Sequence, residues 1–321
     1  MENGLISAYA LDGSGGGRSY SFDELKNWQS GAGTLWVHFD YAQADSQSWI
    51  RDSGLPAICV NALLSEETRP RVTAVGDGVL MSLRGVNLNP SSNPEDMVSI
   101  RIYADKDRVI TSRKRRLLTV SDVAGMLEDG VGPKDTAELL AMMVSKLTQR
   151  IELFVDSLEE RADDLEEGML LAASKDARAE LVSLRRESII LRRYLAPQRE
   201  AMAQLAALKP SWLSEEQRIH IRETSDQLTR LIENLDAVRD RAAVVHEELA
   251  NQLSEQMNQR MYVLSIVSVV FIPLGFLTGL LGINIGGIPG ADNSAAFMWF
   301  LGGLGVLTAI QFLLLRRFRW L

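Results

Sequence analysis

Apolar and polar positions follow three different rhythms along this chain. Over residues 1–120, short apolar runs are separated by turn residues. Leu35-Trp36-Val37-His38-Phe39, Val79–Val86, Val98–Tyr103 and Arg108–Thr111 read as strands, with Asn89-Pro90-Ser91-Ser92-Asn93-Pro94 as a turn between two of them. Trp49–Leu64 has helical spacing interrupted at Pro56. Short strand connections call for a partly antiparallel sheet, so residues 1–134 are expected to form an α/β domain with flanking helices. From Asp135 the period changes to three and four. Thr136 to about Gly168 and Ala172 to about Leu208 predict two helices, a hairpin over 135–210 that is broken at Lys209-Pro210-Ser211. Ser214 with Gln217 makes a capping box. The helix it opens meets one proline, Pro273, and no glycine before Gly275, so it is expected to run from Glu215 to Leu281. Such a helix is about 100 Å long.

Two stretches of that last region are empty of charge. Met261–Leu281 and Ala295–Leu315 each span about 31 Å as helices, the thickness of a bilayer's hydrocarbon core. They predict two transmembrane helices joined by an outer loop, 282–294, with a stalk over 211–260 before them and a basic tail over 316–321 after them. On the stalk, Leu228, Leu231, Leu235, Val238, Ala242, Val245 and Leu249 alternate at spacings of three and four, the seam of a coiled coil. The same register continues through Gln252, Gln256 and Gln259. Two readings stay open: a helix packing with copies of itself to line a water-filled path, or a coiled coil whose amides set its register.

Charge sharpens the division. The 321 residues include 42 acidic and 34 basic ones, net −8. Beyond residue 260 the charged side chains are Asp292, Arg316, Arg317 and Arg319, so residues 1–260 carry net −10. This excludes a purely soluble chain and a disordered one, and the single Cys59 excludes a disulfide scaffold. Met-Glu-Asn-Gly at the start has no basic n-region, so no secretory signal is expected. The outer loop holds no Lys or Arg, whereas Arg260 and the arginine tail flank the spans. By the positive-inside rule both termini are cytoplasmic. The expected fold is a mainly helical α+β membrane protein: a cytosolic α/β domain, a long stalk helix entering the first span, and a second span. Its expected place is a bacterial-type inner membrane.

Candidate chemistry outside the spans is sparse. Gly13-Ser14-Gly15-Gly16-Gly17 lacks the Lys-Ser/Thr and the helix of a phosphate loop and reads as a flexible loop. Without a Walker motif, a His-Asp relay or a metalloprotease helix, neither enzymatic activity nor a cofactor is expected. Arg113-Lys114-Arg115-Arg116 reads as a structural or lipid-facing cluster, and the net −10 argues against nucleic acid as a partner. The acidic run from Asp156 to Glu167, with Asp163 within it, is either a cation-attracting or regulatory metal surface or a solvated helix face. His246 and Glu247, adjacent on the stalk, do not share a helix face, so a metal site there would need neighbouring subunits.

Gly282-Ile283-Asn284, at the outer end of the first span after a long stalk, resembles the Gly-Met-Asn signature of the CorA family of divalent-cation transporters. The following Gly286-Gly287-Ile288-Pro289-Gly290 is similar to the ZntB zinc-transporter subgroup. Similar too are the Leu35–Asp40 strand, Glu67-Thr68-Arg69-Pro70-Arg71, Pro273 and the tail from Arg316 to Leu321. Ile283 departs from the signature, and Leu281 stands where an aromatic often precedes it. The resemblance implies a homopentamer in the lipid bilayer, with the long helix around a central pore and the second span in an outer ring. Gly282, Ile283 and Asn284 would then stand at the outer mouth, with Asp292 in the loop. Asn258, Met261, Leu264, Ser265, Ser268, Ile272, Gly275 and Gly279 would face the pore. Arg316, Arg317 and Arg319 would form a cytosolic collar.

The cargo this implies is Zn²⁺. Bare Zn²⁺ takes Cys, His or carboxylate ligands. His38, His220, His246 and Cys59 all lie outside the spans, so the ion is expected to cross hydrated. The resemblance also implies proton linkage, although neither span has a charged side chain or a histidine and Asp292 is the nearest carboxylate. Two alternatives stand beside this reading: a Mg²⁺/Co²⁺ channel of the same family, and a membrane-anchored coiled-coil sensor or scaffold.

Overall fold

The computed structural model describes the chain except for residues 1–2, 29–32, 67, 170–174, 283–287, 289, 291–292 and 319–321. It divides into two compact units, Met1–His246 and Glu247–Leu321. In the first, the described strands are β1 (Leu5–Leu11), β2 (Gly17–Ser19), β3 (Leu35–Asp40), β4 (Arg71–Val75), β5 (Gly78–Gly85), β6 (Val98–Ala104) and β7 (Arg108–Arg113). They form one sheet in the order β2-β1-β3-β7-β6-β5-β4. All neighbours are antiparallel except β3 and β7, which run parallel at its centre. A central strand is covered on both faces, which is why β3 reads as a continuous run, apolar but for His38, and not as an alternation.

On one face, α2 (Ala44–Asp52) and α3 (Ala57–Leu64) bring Ile50, Cys59 and Leu63 onto Leu35, Val37, Phe39 and Ile110. The short α1 (Phe22–Leu25) is closed by a reciprocal Ser21–Glu24 capping box. Toward the other face lies a buried polar ladder. Trp36 Nε1 donates to Thr111 Oγ1 at 3.1 Å, and Thr111 Oγ1 donates to the Val37 carbonyl at 2.9 Å. With that proton committed, His38 Nδ1 must donate to Thr111 Oγ1 (2.8 Å), while His38 Nε2 accepts from Arg113 Nε (3.0 Å). His38 is therefore neutral, its pKa held well below the usual histidine value by burial and by the Arg113 charge.

This has a consequence for acid stability. Below about pH 6.5 the unfolded chain takes up a proton that the folded sheet excludes, so up to about 1.4 kcal/mol of stability is lost per pH unit on this account. Thermal melts between pH 7 and pH 5 should fall more steeply for the parent protein than for His38→Gln. Equal slopes would remove His38 from the acid response.

The glycine-rich segment after β1 is an ordered turn. The Asp12 carboxylate accepts from the Ser14 N–H (2.7 Å), the Ser14 hydroxyl (2.8 Å) and the Gly16 N–H (3.0 Å), which holds its pKa down. Gly13 and Gly15 take φ values of +77° and +111°, open to glycine at little cost. The segment closes the β1–β2 hairpin rather than cradling an anion.

Behind the sheet come α4 (Leu118–Glu128), α5 (Thr136–Met169), α6 (Lys175–Ala207) and the start of α7 (Glu215–Gly282). The break after α6 is anchored to the β4–β5 turn: the Ser211 N–H donates to Asp77 Oδ1 and Trp212 Nε1 to the Asp77 carbonyl, both at 2.7 Å. At the start of α7 the Gln217 N–H donates to Ser214 Oγ (3.4 Å). The stalk seam behaves differently from the expectation that it packs with copies of itself. Leu228, Leu231, Leu235, Val238, Ala242 and Val245 are buried within the chain itself, at 0–7% exposure. Polar contacts frame this packing: Gln227 reaches Glu152 of α5 (2.7 Å), and Arg192 of α6 reaches Asp236 (2.8 Å). The 3-4 spacing marks a three-helix layer inside one subunit.

Candidate functional site

Among the described residues, α7 and α8 (Ala296–Arg317) are long and apolar enough to cross a membrane. Within the second unit, α8 turns one stripe inward: Ala296, Phe300, Leu304, Leu307, Gln311 and Leu315 are its buried or half-buried positions, spaced by three and four. On α7 the half-buried positions of the span include Ile266, Val270, Pro273, Leu274 and Leu277. At about 100° per residue these cluster on one side of the helix.

The positions expected to face a pore lie on the opposite side. Asn258, Met261, Leu264, Ser265, Ile272, Gly275 and Gly279 are exposed, and Ser268 is half-buried. Met261, Leu264 and Ile272 are 62%, 66% and 67% exposed. Apolar surface on this scale needs lipid or another subunit to cover it. Ser265 and Ser268 donate their hydroxyl protons to the Met261 and Leu264 carbonyls, each at 2.8 Å, and Thr278 donates to the Leu274 carbonyl at 2.9 Å. With their protons used inside the helix, these oxygens face outward as acceptors only. That suits a partner whose water molecules donate hydrogen bonds.

At its C-terminal end, α7 is described to Gly282; Ile283, Asn284 and Asp292 lie outside the described residues. At the other end, Arg316 and Arg317 occupy the exposed last turn of α8, where cations complement the helix dipole, and Arg319 lies outside the described residues.

The charged candidates of the first unit are drawn into structural pairs. Arg241 of α7 holds Asp163 and forms a two-bond fork to Glu166 (2.8 Å each). Part of the acidic run is thus neutralised inside the layer, while Glu167 stays exposed at the end of α5. Glu159 is pushed up by burial, with Asp156 and Asp163 adding to the effect. In the basic cluster, Arg113 meets His38, Lys114 pairs with Glu66 (2.5 Å) and Arg115 with Asp96 (3.1 Å), the structural alternative for that run. Among the described residues no group of three or more His, Cys, Asp or Glu side chains is placed to hold a metal ion, and this covers His246, Glu247, Asp163 and Glu167. One cleft of mixed charge was not read from the sequence. It lies between α5 and α7, where Glu138 and Lys146 of α5 face Glu216, His220, Glu223, Asp226 and Arg230 of α7, two helix faces that meet only when the layer folds.

Gln311 was also missed. It is 9% exposed, and its Nε2 donates to the Val269 carbonyl at 3.2 Å. A lone amide in an otherwise apolar span was the sequence signal for it.

Known proteins share this architecture. A solved structure of the full-length CmaX protein superposes with a TM-score of 0.87 at 41% identity, covering 100% of this chain and 99% of that one. In sequence, the divalent cation transporter CmaX of Pseudomonas aeruginosa is 41% identical over 326 residues, covering 100% of this chain and 98% of the relative. The zinc transport protein ZntB of Yersinia enterocolitica is 36% identical over 317 residues, covering 98% of this chain and 96% of the relative. The model of the CorA-like Mg²⁺ transporter proteins matches residues 31–317. By that match and by relatives aligned along their whole length, this chain belongs to the CorA family of divalent-cation transporters.

Proposed function

We propose that the protein carries hydrated Zn²⁺ across the bacterial inner membrane through the axis of a homopentamer, with both termini in the cytoplasm. The observation that carries this reading is the two-sidedness of α7. One face of its span meets α8, and the opposite face presents Asn258, Ser265, Gly275 and Gly279 among apolar neighbours. Copies arranged with that face inward would make a narrow path of acceptor oxygens, small residues and apolar collars. A divalent ion holds its water tightly, so such a path accepts the hydrated ion through its water molecules rather than by ligation.

Zinc is preferred to magnesium because relatives along the whole chain are named as zinc transporters. Asn284 and the carbonyls near Gly282 and Ile283 would ring the outer mouth. Asp292 would add a negative potential that gathers cations, and Arg316, Arg317 and Arg319 would collar the cytosolic neck. With no Asp, Glu, Lys, Arg or His within either span, proton linkage would have to run through water, amides or the loop carboxylate.

Reconstitution into liposomes loaded with zinc or magnesium indicators, with and without a pH gradient, tests the reading. Zinc entry that responds to the gradient, and responds less in Asp292→Asn, is expected. Magnesium flux indifferent to the gradient would move the assignment to a Mg²⁺/Co²⁺ channel. No flux of either ion would leave a membrane-anchored scaffold.

A further inference from the structure

Pro273 sits inside α7, within the first span. Proline has no N–H, so the carbonyl four residues earlier, that of Val269, has no helical donor. In a hydrocarbon environment an unmatched carbonyl is costly, and neighbouring helices are one source of a replacement donor. Here the replacement comes from α8: Gln311 Nε2 donates to the Val269 carbonyl at 3.2 Å. Gln311 is one of the two buried residues of α8, on the stripe that faces α7. Its other amide atom, Oε1, is buried without a hydrogen-bond partner among the described residues.

We infer that Gln311 is a positioning residue: its amide clamps the carbonyl released by Pro273, so the course of α7 through Pro273 is set by the second span. A proline break with no second contact is free to flex. Clamping it with one side chain ties the angle of α7 above Val269 to the placement of α8. The clamp is a single bond, because Oε1 gains no donor, and a single bond can open and re-form as the two helices shift. Leu, Ile or Phe at position 311 would fill the same stripe, as Leu304, Leu307 and Leu315 do, but could not reach a carbonyl with a proton. Ser or Thr within α7 could cap a nearby carbonyl, yet the described hydroxyls there go to Met261, Leu264, Leu274 and Gly275 and leave Val269 to Gln311. The effect on ion movement rests on the proposal that α7 lines the path; the clamp itself does not.

The test is a cycle between the two positions in the full-length protein in lipid. Gln311→Leu should speed amide hydrogen exchange in the segment around Val269 and Pro273 at least about tenfold. It should also change metal flux several-fold, with the oligomer unchanged by size-exclusion chromatography. Pro273→Ala restores an N–H to the Val269 carbonyl, so in that background Gln311→Leu should alter neither exchange nor flux. An equal effect of Gln311→Leu in both backgrounds, or unchanged exchange in the parent background, overturns the clamp. If the unsubstituted protein moves no metal, the transport proposal fails, and the exchange cycle still decides the clamp by itself.

Discussion

Replacing Asn284 by Ala is expected to cut divalent-metal flux at least tenfold while leaving the oligomer and its melting temperature unchanged. On the proposed reading, a hydrated cation at the outer mouth is held by dipoles that accept from its water. Each such water-mediated bond is nearly as favourable as a direct one. A tenfold fall in rate needs about 1.4 kcal/mol of lost stabilisation at the barrier. Shared among the five subunits of the proposed pentamer, that is about 0.3 kcal/mol per side chain, less than the ordinary net worth of one hydrogen bond. The loss is amplified because one substitution removes every oxygen of the proposed ring together. Asn284→Asp separates dipole from charge: it should retain binding of the ion but slow its release, giving saturation at lower metal concentration. Stopped-flow indicator assays in liposomes read both effects. Unchanged flux in Asn284→Ala would take Asn284 out of the path.

Much of the fold was legible because burial writes a period into the sequence. β3, β5, β6 and β7 lie where their apolar runs placed them, since these strands are mostly covered. Three strands were invisible for identifiable reasons. β4 buries only Val72 of its five residues, so it shows no alternation. β1 loses its pattern at a register shift between Leu5 and Ser7. At three residues, β2 is too short to have a period. The stalk seam shows the deeper limit. Its spacing says that one face of α7 is covered, but not whose side chains cover it; α5 and α6 of the same chain supply the same apolar surface that another copy would. In the second unit the roles reverse. The residues expected to face the pore were placed by resemblance, and the hydrophobic pattern of a span that is apolar all round could not separate that side from the side meeting α8. The half-burial of Ile266, Val270 and Leu277 marks the side that meets α8. The Gln311–Val269 contact depends on which way α8 is rotated, so no spacing along either helix alone contains it.

The largest stability effect is expected at Arg161. Its guanidinium on α5 meets Glu187 of α6 through two bonds, 2.8 and 3.1 Å, and Glu180 at 2.6 Å. Glu187 also accepts from the Ser183 hydroxyl at 2.7 Å, and its side chain is only 8% exposed. Burial works to raise the Glu187 pKa, but the Arg161 and Ser183 bonds together outweigh it and hold the carboxyl below its usual value. Arg161→Met removes the charge and leaves the carboxylate buried beside methylenes. Breaking a buried pair in this way costs about 3 kcal/mol or more, which in a unit of this size lowers the melting temperature by roughly 6–12 °C. The sign of the pH dependence follows. With its pKa depressed in the fold, Glu187 contributes stability above the unfolded carboxylate value near 4.3, and that stability is lost as pH falls through the folded value. Without Arg161 the burial is opposed only by the Ser183 bond and the Arg186 charge, so the ionised Glu187 contributes less stability and lowering the pH should cost the variant less than the parent. The double substitution Arg161→Met with Glu187→Leu replaces the pair by matched apolar groups and should recover most of the loss, since such replacements are often neutral. Melts of the detergent-solubilised full chain measure all three. A single-variant shift under 2 °C would mean that the pair is solvated and that the α5–α6 layer is held by its Leu and Val contacts alone.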